Sequence, residues 1–175
     1  AVLSLPARAL AQAKPANIFS DGMVMQRDMP LKIWGTAGPG EKVSVKIGSR
    51  KGTAVADGEG RWEAALAPMA AGGPYTIEVN GHTVRDVMIG DVFLFSGQSN
   101  MELPVSRVTD MFADETASYT NSEIRHIRIP PTKNFHGPQA DTPLASWKKL
   151  DPEAAMDFSA VAYFFARQLY QTTKV

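Results

Sequence analysis

"DVMIGDVFLFSGQSNM", residues 86–101, is the stretch on which both fold and chemistry turn. From Val87 to Phe95 it is apolar on both sides of the pleat, the pattern of a parallel strand covered by helices on both faces. The run then stops at Ser96-Gly97-Gln98-Ser99-Asn100. Ligands of open α/β sheets gather outside the carboxyl ends of the strands, and these residues stand at such an end. Gly97 would allow a tight turn and close approach of a substrate to the backbone, and Ser99 would present its hydroxyl at the rim. The alternative is a plain strand-to-helix connection, because Ser, Gly and Asn form turns for purely local reasons. The second glycine of the G-x-S-x-G elbow is missing, which sets the stretch apart from ordinary α/β-hydrolases.

Downstream, "DFSAVAYFFARQLYQT" reads as a helix with Val161, Phe164, Phe165 and Leu169 on one face and Asp157 or Ser159 as cap. Strand and helix together predict an α/β layer. Between them, residues 105–156 hold one expected strand, "EIRHIRIP", amid prolines and polar residues. A stretch this long is expected to act as a lid or a substrate-facing excursion.

Upstream, residues 15–86 alternate with period two between glycine-rich turns. Val43, Val45 and Ile47, then Trp62, Ala64 and Leu66, then Tyr75, Ile77 and Val79, each mark one buried face. Asn80-Gly81 is a hairpin signal. The expectation is a β-sandwich-like module of roughly six to eight strands. Such modules often bind sugars; Trp34 and Trp62 would be the exposed candidates, but both are expected to fill the core. The first residues, "AVLSLPARALAQA", close on Ala11-Gln12-Ala13, a small-x-small pattern that predicts the remnant of an export signal over 1–13.

Composition narrows the function. The 18 basic and 18 acidic residues balance to zero net charge without a charged run, so neither nucleic acid nor an anionic membrane is an expected partner. No segment after the N-terminus approaches the roughly 20 apolar residues of a membrane span. Without cysteine there is no thiolate catalysis, and the three histidines, His82, His126 and His136, form no metal-ligand pattern, so no metal or other cofactor is expected.

Three separated blocks carry a family resemblance: "NIFSDGMVMQRDMPLKIWGTAGPGEKVSV", "GDVFLFSGQSNMELPV" and "FSAVAYFFARQL". Together they resemble the N-terminal part of the sialate O-acetylesterase family of carbohydrate esterases, within the SGNH hydrolase superfamily. The resemblance implies a flavodoxin-like α/β/α catalytic domain preceded by a β-sandwich-type segment, here residues 14–86 followed by an incomplete catalytic domain over 87–175. It places Ser99 as nucleophile, with its own backbone N–H as one oxyanion donor. Gln98 stands where many relatives outside this family carry Asp; an amide is no base, so its implied role is positioning. Asn100 and Glu102 match the family text and are expected to shape the turn, with Gly97.

A serine hydroxyl needs a base, normally a carboxylate-oriented His. The family carries its His and Asp near the far C-terminal end of the catalytic domain, and a glycine and an asparagine of the oxyanion hole in between; those blocks are absent here. Of the local histidines His136, in the excursion, is the first to consider. Two readings follow. One is the N-terminal portion of a secreted or periplasmic serine esterase acting on an O-acetylated carbohydrate, inactive until joined by the missing C-terminal half. The other is a non-catalytic carbohydrate-binding or assembly module.

Overall fold

The computed structural model describes residues 12–175. Of the expected leader, residues 1–11 lie outside the described residues, while Ala13 packs in the core beside the first strand.

Eight strands make up the first half: β1 (Lys14–Pro15), β2 (Val24–Gln26), β3 (Leu31–Thr36), β4 (Lys42–Ile47), β5 (Arg50–Val55), β6 (Arg61–Leu66), β7 (Gly72–Val79) and β8 (His82–Gly90). They form a three-stranded sheet, β1-β3-β6, and a five-stranded sheet, β2-β8-β7-β4-β5, antiparallel except where β2 runs parallel to β8. Alternation fixes which side of each is buried. Leu31, Ile33, Trp62, Ala64 and Leu66 of the smaller sheet meet Val43, Val45, Ile47, Ile77, Val79 and Val87 of the larger in one core. Each large apolar side chain buried there contributes roughly 1.5–3 kcal/mol. Asn80 and Gly81 both have positive φ, 43° and 88°, as a tight turn between β7 and β8 requires.

Two expectations fail in this half. Trp62 is buried, but Trp34 is 42% exposed. The parity of β3 explains it: Leu31 and Ile33 point inward, so Lys32 and Trp34 point out together. The apolar run 87–95 is not one strand. Val87 to Gly90 finish β8, pairing with β2 and β7, and residues 91–97 carry no ladder at all.

The second half is sparser. It contains α1 (Ser99–Glu102), a 3₁₀ turn (Val105–Arg107), α2 (Ala113–Thr116), β9 (Asn121–His126), β10 (Lys148–Leu150), α3 (Pro152–Met156) and α4 (Ala160–Thr173). The expected strand in "EIRHIRIP" is the end of β9, which pairs antiparallel with β10. Val105, Ile124, Leu150, Ala155, Phe158, Ala162 and Tyr163 form a separate small core. Asp151 caps α3, accepting from the Ala154 N–H at 2.8 Å, and Ser159 caps α4. The buried side of α4 is Ala162 and Tyr163, with Phe164, Ala166 and Tyr170 packed beside them. The expected stripe is therefore divided: Val161 and Phe165 stay largely open, because the helix carries a second apolar face.

Arg125 of β9 joins the halves. Its guanidinium is 4% exposed and donates to the carbonyls of Gly22 and Asp86 and, at 3.0 Å, to the Asp86 carboxylate, which also meets Lys149 Nζ at 2.8 Å. Those cations, Lys149 foremost and then Arg125, hold the Asp86 carboxyl below the usual carboxylate range. Trp147 adds a second tie, donating from Nε1 to the Ile18 carbonyl at 3.1 Å. The result is mixed sheets with few helices, none of them long and apolar enough to cross a membrane among the described residues.

Candidate active site

The chain leaves β8 under tight control. Arg27 grips Asp91 with two parallel hydrogen bonds, Nε to Oδ1 at 2.9 Å and Nη2 to Oδ2 at 3.1 Å, and Gln26 Oε1 accepts from the Val92 N–H at 2.9 Å. The Arg27 guanidinium accordingly holds the Asp91 carboxyl below its ordinary range. Beyond this anchor Phe93 and Phe95 meet the Phe165 ring edge-on, with centroids 4.9 and 5.4 Å apart.

The polar turn follows. Gln98 is extended, and its carbonyl accepts the N–H groups of Met101 (2.9 Å) and Glu102 (3.2 Å), so Ser99 opens α1. Gly97 relieves a close approach: a Cβ there would lie 3.2 Å from that of Met101, which would have to shift by a few tenths of an ångström. Beyond α1 the chain is stitched to the start of α4, with Ala160 N–H donating to the Leu103 carbonyl at 2.8 Å, Val105 N–H to that of Phe158 at 2.9 Å, and Pro104 bridging Ser159. Glu102 pairs with Arg128 at 3.2 Å on the surface. The turn is thus held on both flanks, and Ser99 and Asn100 are exposed at its tip.

An open groove of about 1070 Å³ runs beneath it, between the β-rich half and α4; Ser96, Gly97, Met101 and Glu102 line it, but Gln98, Ser99 and Asn100 do not. His126 also lines it, whereas His82 and His136 do not. His126 is buried and stacked on Phe158 with ring centroids 4.1 Å apart. Burial, aided by Lys148 and opposed by Asp157, lowers its pKa to about 4, so the ring is neutral near pH 7, and its Nε2 is buried without a partner among the described residues. His136 lies in an exposed loop, its N–H donating to Asn134 Oδ1. Among the described residues no group of three or more His, Asp or Glu is placed to hold a metal ion. The arrangement therefore presents an exposed serine on a pinned turn, with no histidine hydrogen-bonded to it among the described residues. Sequence reasoning assigned no part to Gln26, Arg27 or Arg125, since their partners lie 64 or more, 64 and 39 residues away in the chain.

No family model matches the chain. It is 31% identical to the sialate O-acetylesterase of Mus musculus over 181 residues, 90% of this chain and 33% of that protein. The Homo sapiens sialate O-acetylesterase is 29% identical over 184 residues, again 90% of this chain and 34% of its own length. A carbohydrate acetylesterase from Xanthomonas citri has a crystal structure that superposes with a TM-score of 0.85 at 35% identity, covering 93% of this chain and 38% of that one. The chain spans about a third of the length of the curated relatives it matches. The likeness covers both the β-rich half and the segment carrying Ser96 to Asn100, and it matches the chain to the sialate O-acetylesterase family at the level of an N-terminal portion.

Proposed function

We propose that the chain supplies the N-terminal part of a secreted or periplasmic serine esterase that removes acetyl groups from carbohydrate hydroxyls, with Ser99 as nucleophile. The carrying observation is the Gly97–Asn100 turn: pinned on both flanks, it exposes Ser99 at the first residue of α1. In this reading the first half is a β-sandwich module and the remainder opens an SGNH-type, flavodoxin-like α/β/α domain. Further polypeptide, as in the longer relatives, supplies the strands beside 92–95 and the His and Asp.

The chemistry runs in two balanced steps. The base takes the Ser99 proton as Oγ bonds to the acetyl carbon, and the resulting oxyanion is met by the Ser99 backbone N–H, free at the helix start. Collapse breaks the bond to the sugar oxygen, which takes the proton from the base. Water then repeats the sequence on the acetyl-enzyme and releases acetate. Gln98 and Asn100 position the turn, and Gly97 makes room for it. The esterase relatives do not favour a non-catalytic module. The test is acetate release by the complete polypeptide with and without Ser99.

A further inference from the structure

Where the ladder of β8 ends, side chains from another strand take over. β2 runs parallel to β8 as far as the pairing of Gln26 with Gly90, and the Arg27 N–H donates to the Gly90 carbonyl at 2.8 Å. The main chain then turns away at Asp28, whose φ is 59° and whose N–H donates to the Met69 carbonyl at 2.9 Å. The side chains of Gln26 and Arg27 stay with the other strand. Gln26 accepts the Val92 N–H at Oε1, its Nε2 reaches Asp91 Oδ1 at 3.4 Å, and the Arg27 fork closes on the Asp91 carboxylate. That carboxylate side chain is only 18% exposed, and a two-pronged contact to it fixes direction as well as distance.

Direction matters here because the segment has a phase. Phe93 and Phe95 both reach the Phe165 ring, while Leu94 between them is exposed. A slip of one residue would turn Leu94 toward α4 and carry both rings away from it. Among the described residues, no other hydrogen bond ties 91–97 to a distant element. Downstream, the turn is next anchored at 103–105, by the bonds to 158–160. The clasp on Asp91 and Val92 is therefore its upstream anchor. We propose that Gln26 and Arg27 are positioning residues for the esterase reaction, setting the phase in which the chain enters the Ser99 turn. Resting on the esterase reading, this gives the β-rich half a part in turnover: it holds the root of the segment that presents the nucleophile.

Steady-state hydrolysis of 4-nitrophenyl acetate by the complete polypeptide tests it. Formation and hydrolysis of the acetyl-enzyme both pass through a tetrahedral adduct at Ser99, so a misplaced turn slows both. Arg27→Ala and Gln26→Leu should therefore each lower kcat by about tenfold or more and leave KM within about twofold. Arg27→Lys keeps the charge without the fork and should recover only part of the loss. Lys46→Ala breaks another ion pair of the same sheet, Lys46 to Glu78 at 3.1 Å, and should leave kcat unchanged. Thermal unfolding checks that each variant folds; should Arg27→Ala not fold, Arg27→Lys and Gln26→Leu carry the comparison. Unchanged kcat in the folded Arg27 and Gln26 variants, a loss carried by KM, or an equal loss in Lys46→Ala overturns the proposal. Such a result, with hydrolysis still abolished by Ser99→Ala, removes the positioning role alone. Hydrolysis that survives Ser99→Ala removes the esterase reading at Ser99, and the positioning role with it.

Discussion

Every inward-pointing residue of β4 and β6 meets a neighbour across the first core, whereas the segment Val92 to Phe95, equally apolar, leaves Phe93 50% and Leu94 92% exposed. The two regions share a composition and differ in pairing. A β strand buries its faces only when other elements cover them, and the first half contains both of its sheets within itself. Residues 91–97 have one helix, α4, on one side and pair with no strand among the described residues. The half that holds the proposed nucleophile is thus the half that leaves large apolar side chains exposed, and each prediction below probes that contrast.

The largest effect belongs to the turn. In the complete polypeptide Ser99→Ala should lower esterase turnover by on the order of 10⁴-fold or more, because acyl transfer has no second nucleophile, while leaving the thermal unfolding curve in place. Ser96→Ala should cost far less. Steady-state acetate release decides between them: a loss under about tenfold at Ser99, or equal losses at both serines, would remove Ser99 from its role.

The same contrast governs what the sequence disclosed. Alternation located the buried faces of β4, β6 and the end of β7, because in these strands the partner sheet lies within the same short module. It could also have placed Trp34, whose parity with Lys32 in "LKIW" points outward; aromatic size misled where phase was informative. The run 87–95 looked like one strand because residues paired on both sides and residues left unpaired have the same apolar texture. Its division at Gly90 and Asp91 depends on Gln26 and Arg27, from a distant part of the chain. The "SGQSN" turn was legible by local chemistry, but the stitching of residues 103–105 to 158–160 was not, since backbone hydrogen bonds carry no sequence signature.

The join between the halves is the next place to strike. Arg125→Ala would strip the Gly22 and Asp86 carbonyls of a donor and leave the Asp86 carboxylate with Lys149 alone. Because Asp86 is 34% exposed and keeps Lys149, the cost comes chiefly from the carbonyls left without a donor, at about 1–3 kcal/mol. Arg125→Lys should recover only part of it, because an ammonium cannot span the same acceptors. Denaturant unfolding measures both, and a loss below about 1 kcal/mol for the alanine variant would mean that the halves are held by apolar contact instead.

His126 should give the second half a pH dependence of its own. Its folded pKa, about 4, lies below the ordinary 6.5, so the unfolded chain takes up a proton first as the pH falls. Stability is therefore full above about pH 6.5 and declines toward pH 4, by at most about 3 kcal/mol. His126→Gln should flatten that decline. Unfolding midpoints measured at steps between those pH values check it, and a wild-type curve already flat there would show the ring to be solvated.

The smallest effect is expected where the exposed surface is greatest. In the 175-residue chain Leu94 touches little, so Leu94→Ala should change folding stability by no more than about 0.5 kcal/mol. Ile77→Ala, emptying a site in the completed core, should cost about 2–5 kcal/mol. The uncovered apolar segment instead invites association, so light scattering should find the 175-residue chain self-associating and Leu94→Ala less so. A loss of about 2 kcal/mol or more at Leu94 in this chain would mean that 92–95 is already covered, and that the difference between the two regions is one of sequence rather than of missing neighbours.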